Sequence, residues 1–181
     1  VGEHRGGYDP SSIDISRALN RKGPLTISVR VWDPTDDGPQ PRGKQVNHPG
    51  GIWYTSVTGI WQTVWLEAVP DTYIAATRQT SDIDRQELHV QVNVVQPVPG
   101  DQVMVSAWKG NQQVAEQTVA PDQEAVLSIP DPLLWSPAHP FLYDLKFVIL
   151  RKGKKIDGVT GYFAMRKISM GPDQNGIQRM L

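Results

Sequence analysis

The chain has 181 residues, with 18 Lys and Arg against 19 Asp and Glu, a formal charge of −1 and no cysteine. A near-neutral chain without a basic block argues against nucleic acid or an anionic membrane as partner, and no run of about 18 apolar residues exists to cross a bilayer as a helix. Disulfides, thiolate catalysis and thiolate-bound metals are excluded, while 16 glycines and 15 prolines suit many turns and few long helices.

Residues 1–20 open with Glu3-His4-Arg5-Gly6-Gly7-Tyr8-Asp9-Pro10. The glycine pair permits a tight turn with positive φ, and Asp9-Pro10 leads into an extended segment. Ser16 is positioned to cap one helical turn through Leu19, which Gly23-Pro24 ends. His4 and Arg5 read as loop residues. From 25 to 32, Leu25, Ile27, Val29 and Val31 alternate with Thr26, Ser28, Arg30 and Trp32, the pattern of a half-buried strand.

A polar loop over 33–49 follows, with Pro34, Pro39, Pro41 and Pro49. Loops of this length without structure of their own are usually functional or disordered. Asp33, Asp36 and Asp37 precede Gly38, but the alternate-position ligands and distant glutamate of an EF-hand are missing, so a solvated turn is expected rather than a calcium site. Residues 50–67 then hold three of the six tryptophans. Trp61, Thr63 and Trp65 alternate with Gln62, Val64 and Leu66, which predicts a strand covered on both faces. Gly59 stands where a bulge or bend would re-aim the backbone. Trp53 and Tyr54, just before that bend, are candidates for a wall on which the C–H face of a sugar stacks.

Beyond Pro70 seven strands are predicted, over 73–79, 87–95, 102–108, 112–119, 125–129, 141–150 and 156–168. Leu88, Val90, Val92 and Val94 mark one buried face; Phe141, Tyr143, Leu145, Phe147 and Ile149 mark another. Lys109-Gly110-Asn111 and Arg151-Lys152-Gly153-Lys154 carry hairpin-turn chemistry. Strands at this spacing predict an immunoglobulin-like sandwich without the antibody disulfide. Trp135, in Leu134-Trp135-Ser136-Pro137, is expected to anchor a turn in the core.

The sequence has no Gly-x-Ser-x-Gly, no His-Glu-x-x-His and no phosphate loop. His4, His48, His89 and His139 are scattered, without metal-ligand spacing, and read as loop or surface residues; no metal or cofactor is expected. Spacing alone picks out no carboxylate pair for glycosidase chemistry. The residues by themselves describe an all-β chain with an aromatic- and proline-rich loop suited to sugar or peptide binding.

The order of segments resembles glycoside hydrolase family 2, the family of β-galactosidases, β-glucuronidases and β-mannosidases. Three blocks carry the likeness, which covers essentially the whole chain. The first is Glu3 to Pro10 with Ile13-Asp14-Ile15-Ser16, similar to the family's sugar-binding domain past its midpoint. The second is Thr58-Gly59-Ile60-Trp61-Gln62-Thr63-Val64-Trp65-Leu66, similar to the strand that closes that domain. The third is Leu134-Trp135-Ser136-Pro137 and Pro140-Phe141-Leu142-Tyr143, then Tyr162-Phe163-Ala164-Met165-Arg166-Lys167-Ile168, similar to the end of its immunoglobulin-like domain.

The resemblance implies an all-β fold: residues 1–70 as the second half of a galactose-binding-like jelly roll, 71–168 as a seven-stranded immunoglobulin-like sandwich, and 169–181 as the lead-in to a (β/α)₈ barrel absent from this chain. Both catalytic glutamates of a retaining mechanism would belong to that barrel. The chain is therefore expected to be the non-catalytic N-terminal part of a β-glycoside hydrolase, inactive alone. Val1-Gly2-Glu3 and Gln178-Arg179-Met180-Leu181 read as cuts, and no signal peptide is visible, although a secreted or periplasmic parent would fit the family. The expected sugar-facing residues are Asp36, Asp37, Arg42, Lys44, Gln45, Trp53 and Tyr54. Trp53 stands where several relatives carry a substrate-contacting aspartate, so galactoside or glucuronide preference does not transfer. Ser11 stands where an aromatic is usual. Unpaired strands in residues 1–70 are expected to drive packing on the sandwich or self-association. The alternative is a free-standing sandwich module that binds glycans or proteins.

Overall fold

A computed structural model describes residues 1–19 and 23–180. Asn20, at the end of the first expected segment, and Leu181, at the end of the expected lead-in, lie outside the described residues. The chain divides into two compact units, Val1–Leu66 and Glu67–Leu181. The first holds one turn of 3₁₀ helix, Ser16–Ala18, and a short parallel pair, β1 (Gln45–Val46) and β2 (Tyr54–Thr55). The second holds β3 (Tyr73–Asp82), β4 (Glu87–Val95), β5 (Asp101–Lys109), β6 (Gln112–Val119), β7 (Ala125–Ser128), β8 (Tyr143–Arg151), β9 (Lys154–Phe163), β10 (Met170–Pro172) and β11 (Gln178–Met180).

In the second unit two sheets face each other, one ordered β3-β4-β7 and the other β6-β5-β8-β9, with every neighbouring pair antiparallel. Period-2 alternation turns Leu88, Val90 and Val92 of β4, Val103 and Val105 of β5, and Leu145, Phe147 and Ile149 of β8 into one apolar layer between them. Phe147, Leu145 and Leu127 are sealed from solvent. All seven expected strands form. The last ends at Phe163 rather than 168: Ala164 turns its carbonyl to the Ser81 hydroxyl (2.7 Å), and Met165 pairs instead with Leu134. The hairpin at Lys152-Gly153 has positive φ at both residues, 51° and 75°, the geometry whose twist matches the flanking strands. Trp135 is half-buried, with the Arg166 guanidinium 4.6 Å from its ring. The hairpin β10–β11 lies in the segment expected as the lead-in.

With no cysteine, polar clamps join distant strands. Asp101, buried at the start of β5, accepts hydrogen bonds from Arg151 Nε (2.7 Å), Arg151 Nη2 (2.8 Å) and the Val98 N–H (2.9 Å). Arg151 Nη2 also reaches the Thr72 hydroxyl at 2.9 Å, and that hydroxyl donates to the Gln96 carbonyl. A bulge between Ile74 and Ala76 accompanies a link between the sheets, the Ile74 N–H donating to Asp157 of β9 at 2.9 Å. At the opposite end of β8 the Tyr143 hydroxyl accepts the Leu133 N–H at 2.8 Å.

The first unit departs from the sequence pattern in three places. Residues 25–32 form no strand, and Val29 is 62% exposed although its alternation predicted a buried face. Residues 60–66 likewise form no strand: Trp61 and Trp65 are 66% and 71% exposed rather than covered on both faces. The physical reason is the same in both. A strand exists only where a neighbour takes its N–H and C=O groups, and no described residue supplies one here. Gly59 does bend the chain, at φ 144°, and the Trp61 indole is held by the Gly7 carbonyl at 2.7 Å. Third, Ser16 begins the helical turn rather than capping it; the Asp14 carboxylate receives its N–H at 2.8 Å.

Arg151→Ala should lower the urea-unfolding midpoint of the second unit, because Asp101 is left buried without its partner. The Arg151 hydrogen bonds, helped by the Val98 N–H, hold the Asp101 carboxyl at about 2, below the usual 3.8. Stability from a depressed carboxyl is present above the unfolded value and lost as pH falls through the folded one, here from about 4 toward 2. That acid loss should flatten in the variant.

Candidate functional site

The segment from Asp33 to Thr58 is folded on itself through its acidic residues. Thr35, buried at φ 57°, donates its N–H to Asp33 Oδ1 at 2.8 Å, and its carbonyl accepts from the Gln40 side chain at 2.9 Å. The second Asp33 oxygen accepts the Thr58 hydroxyl at 3.2 Å, closing the loop across 25 residues of chain. Asp36 accepts the Asn47 N–H at 3.1 Å and faces the Arg42 guanidinium at 4.0 Å. Gln45 accepts the Val57 N–H at 2.6 Å through its side chain. Its strand β1 pairs with β2 in the register Gln45–Tyr54 and Val46–Thr55, and Val46 is buried.

This scaffold leaves two aromatic rings outside. Trp53 is 40% exposed and Tyr54 is 62% exposed. The Arg42 guanidinium lies 5.6 Å from the Trp53 ring and the Lys44 ammonium 5.9 Å from the Tyr54 ring. Exposed contacts of this kind contribute about 0.5–1 kcal/mol each and restrict the rings. Positive φ at Gly51, 61°, and the Trp53 N–H bond to the Gly50 carbonyl (3.1 Å) set the turn that presents them.

The seven residues expected from sequence thus divide by role. Arg42 joins Asp36 to Trp53, Lys44 reaches Tyr54, and Gln45 pairs with Tyr54 in the ladder. Asp37 is exposed at the loop's start, its N–H bonded to the Pro34 carbonyl at 3.0 Å. Asp33 and Asp36 act as internal hydrogen-bond acceptors, and among the described residues no three His, Asp or Glu side chains gather with metal-binding geometry.

Sequence reasoning missed a polar groove of about 630 Å³ on the second unit, lined in part by Arg78, Asp82, His89, Gln91 and Glu124. His89 Nδ1 lies 3.0 Å from Glu124 and Nε2 3.3 Å from Glu87. The hydrogen bond with Glu124, then its charge and that of Glu87, raise the imidazole above its usual value against the effect of burial. The available signal was period 2, which sends Glu87, His89 and Gln91 to one face of β4.

The sequence profile of glycosyl hydrolases family 2 matches residues 72–166, more than half of the chain and all seven strands of the sandwich. The chain belongs to this family. A β-galactosidase of Thermoanaerobacter pseudethanolicus is 24% identical over 187 residues, covering 96% of this chain and 24% of that protein. Among solved structures, a glycosyl hydrolase family 2 member from Bacteroides cellulosilyticus is 25% identical with a TM-score of 0.51, covering 62% of this chain and 18% of that one. An FMN-binding β-glucuronidase from Facaelibacterium prausnitzii L2-6 shares the fold, with a TM-score of 0.51 at 20% identity over 58% of this chain and 18% of that one. The family 2 chain therefore spans about a quarter or less of the length of these relatives.

Asp33→Ala removes the acceptors of both the Thr35 N–H and the Thr58 hydroxyl. Limited proteolysis should then cut within 33–58 several-fold faster, while the unfolding midpoint of the sandwich stays unchanged.

Proposed function

We propose that the family 2 chain is a non-catalytic part of a β-glycoside hydrolase. In this reading residues 1–70 are the second half of a jelly-roll sugar-binding domain, 71–168 the supporting sandwich, and 169–181 the lead-in to a catalytic barrel. The loop over 33–54 faces the barrel and shapes the sugar pocket. The carrying observation is the self-folded loop, with its two rings exposed and each accompanied by a cation. Asp36, Arg42 and Gln45 hold the loop's shape; Trp53 and Tyr54 offer stacking faces, and Asp37 and Lys44 offer a carboxylate and an ammonium to sugar hydroxyls.

The chemistry of hydrolysis belongs to carboxylates outside this chain. What these residues do is orient: an aromatic face excludes water from one side of a sugar and fixes its tilt, while the neighbouring polar groups select hydroxyl positions. A platform acting on bound substrate and transition state alike changes KM more than kcat. In the complete enzyme Trp53→Ala should therefore raise KM about three- to tenfold, the equivalent of one aromatic contact. Unchanged kinetics on every glycoside the enzyme hydrolyses would overturn the role of the loop.

The exposed apolar residues of 25–32 and 60–66 support the jelly-roll reading, since that domain's other half would cover them. In the isolated chain a second copy is the available cover. Sedimentation of the 181-residue chain should show mass rising with concentration; a monomer throughout would count against self-association.

A further inference from the structure

The outward face of the sheet β6-β5-β8-β9 carries a feature that the loop reading does not use. One cross-strand row sets Trp108 of β5, Asp144 of β8 and Tyr162 of β9 side by side. Strands lie about 4.8 Å apart, so the two aromatic positions are about 10 Å apart with the carboxylate between them. The next row holds Ser106, Lys146 and Thr160. Trp108 donates its indole N–H to the Ser106 hydroxyl at 2.9 Å, which fixes the ring's edge, and Lys146 Nζ sits 3.8 Å from the ring centroid. Tyr162 is 68% exposed. Asp144 is exposed, and its carboxylate has neither a hydrogen bond nor an ion pair among the described residues. Trp108, Asn111, Asp144, Lys146, Thr160 and Tyr162 line a shallow cleft of about 470 Å³.

We propose that this cleft is a second carbohydrate-binding site, separate from the Trp53 loop, for a neutral β-linked glycan. Tyr162 offers an open face for pyranose C–H bonds about two sugar units from the half-buried Trp108, over whose ring Lys146 lies. The Asp144 carboxylate accepts from a pair of hydroxyls, while Lys146, Asn111 and Thr160 donate. The Asp144 carboxylate and the Lys146 ammonium balance, so the cleft gives a phosphate or uronic acid no net attraction and suits an uncharged chain. The site lies on the outward face of the sheet, of which β9 is the edge strand. The β linkage rests on the family reading; the sugar's neutrality and stacking rest on this surface. The larger groove around His89 has no aromatic face, and its His89, Asp82 and Asp84 are already paired within the protein.

The test is titration of the 181-residue chain with cellohexaose, mannohexaose and a soluble β-galactan, followed by calorimetry and by the indole N–H signals in two-dimensional NMR. At least one glycan should bind saturably and move the Trp108 indole signal. Tyr162→Ala and Asp144→Ala, both at exposed positions, should each weaken that binding about tenfold. Absence of saturable binding to all three would overturn the proposal, as would binding that both variants leave intact. Signals confined to the Trp53 indole would also overturn it, while supporting the loop reading.

Discussion

An extended backbone has to give its N–H and C=O groups to a neighbour, and the two units differ in whether that neighbour is present. In the sandwich, β8 lies between β5 and β9, and its alternate residues Leu145, Phe147 and Ile149 are sealed beneath the opposing sheet. Ladder and core reinforce each other there, because the register that satisfies the backbone is also the one that buries the apolar side chains. In the first unit the same kind of sequence, Leu25 to Val31, stays unpaired and open to solvent. Apolar alternation provides a face; pairing decides whether that face becomes a strand.

The first unit meets the problem locally. Its longest stretch of internal order is the loop that the prolines and aspartates suggested would be irregular. Asp33, Asp36 and Gln45 supply acceptors for backbone N–H groups at Thr35, Asn47 and Val57, where a ladder would otherwise have done so. Polar side chains thus play the part that apolar packing plays in the sandwich. The rings of Trp53 and Tyr54 stay outside this polar scaffold, each beside a cation.

Much of the sandwich was legible from residues 73 to 168, since period-2 alternation and turn chemistry are local signals. The bounds of β4 and β6 follow directly from runs such as Leu88, Val90 and Val92. The clamps were not legible: nothing in the spacing of Asp101, Arg151 and Thr72 shows that they meet. The family blocks were readable as residue motifs, but not that Leu134-Trp135 and Met165 meet, Trp135 donating its N–H to the Met165 carbonyl at 2.9 Å. The candidate loop was visible as aromatics beside prolines, whereas its division into hydrogen-bonded scaffold and exposed rings depends on side-chain geometry. The cleft at Trp108 and Tyr162 was hidden because its residues come from three strands.

The clamps also bear on how the sandwich forms. Asp101 and Arg151 are 50 residues apart in the chain, and Ile74 and Asp157 are 83 apart. Bringing such distant partners together costs loop-closure entropy before any contact compensates for it. Topologies dominated by non-local pairs fold in milliseconds to seconds rather than microseconds. During synthesis β3 and β4 can pair early as a hairpin, but the core around Phe147 cannot close until β8 and β9 have emerged. Until then the apolar face of Leu88, Val90 and Val92 has no lid, so the second unit is most exposed to aggregation in the interval between making its first strand and its last.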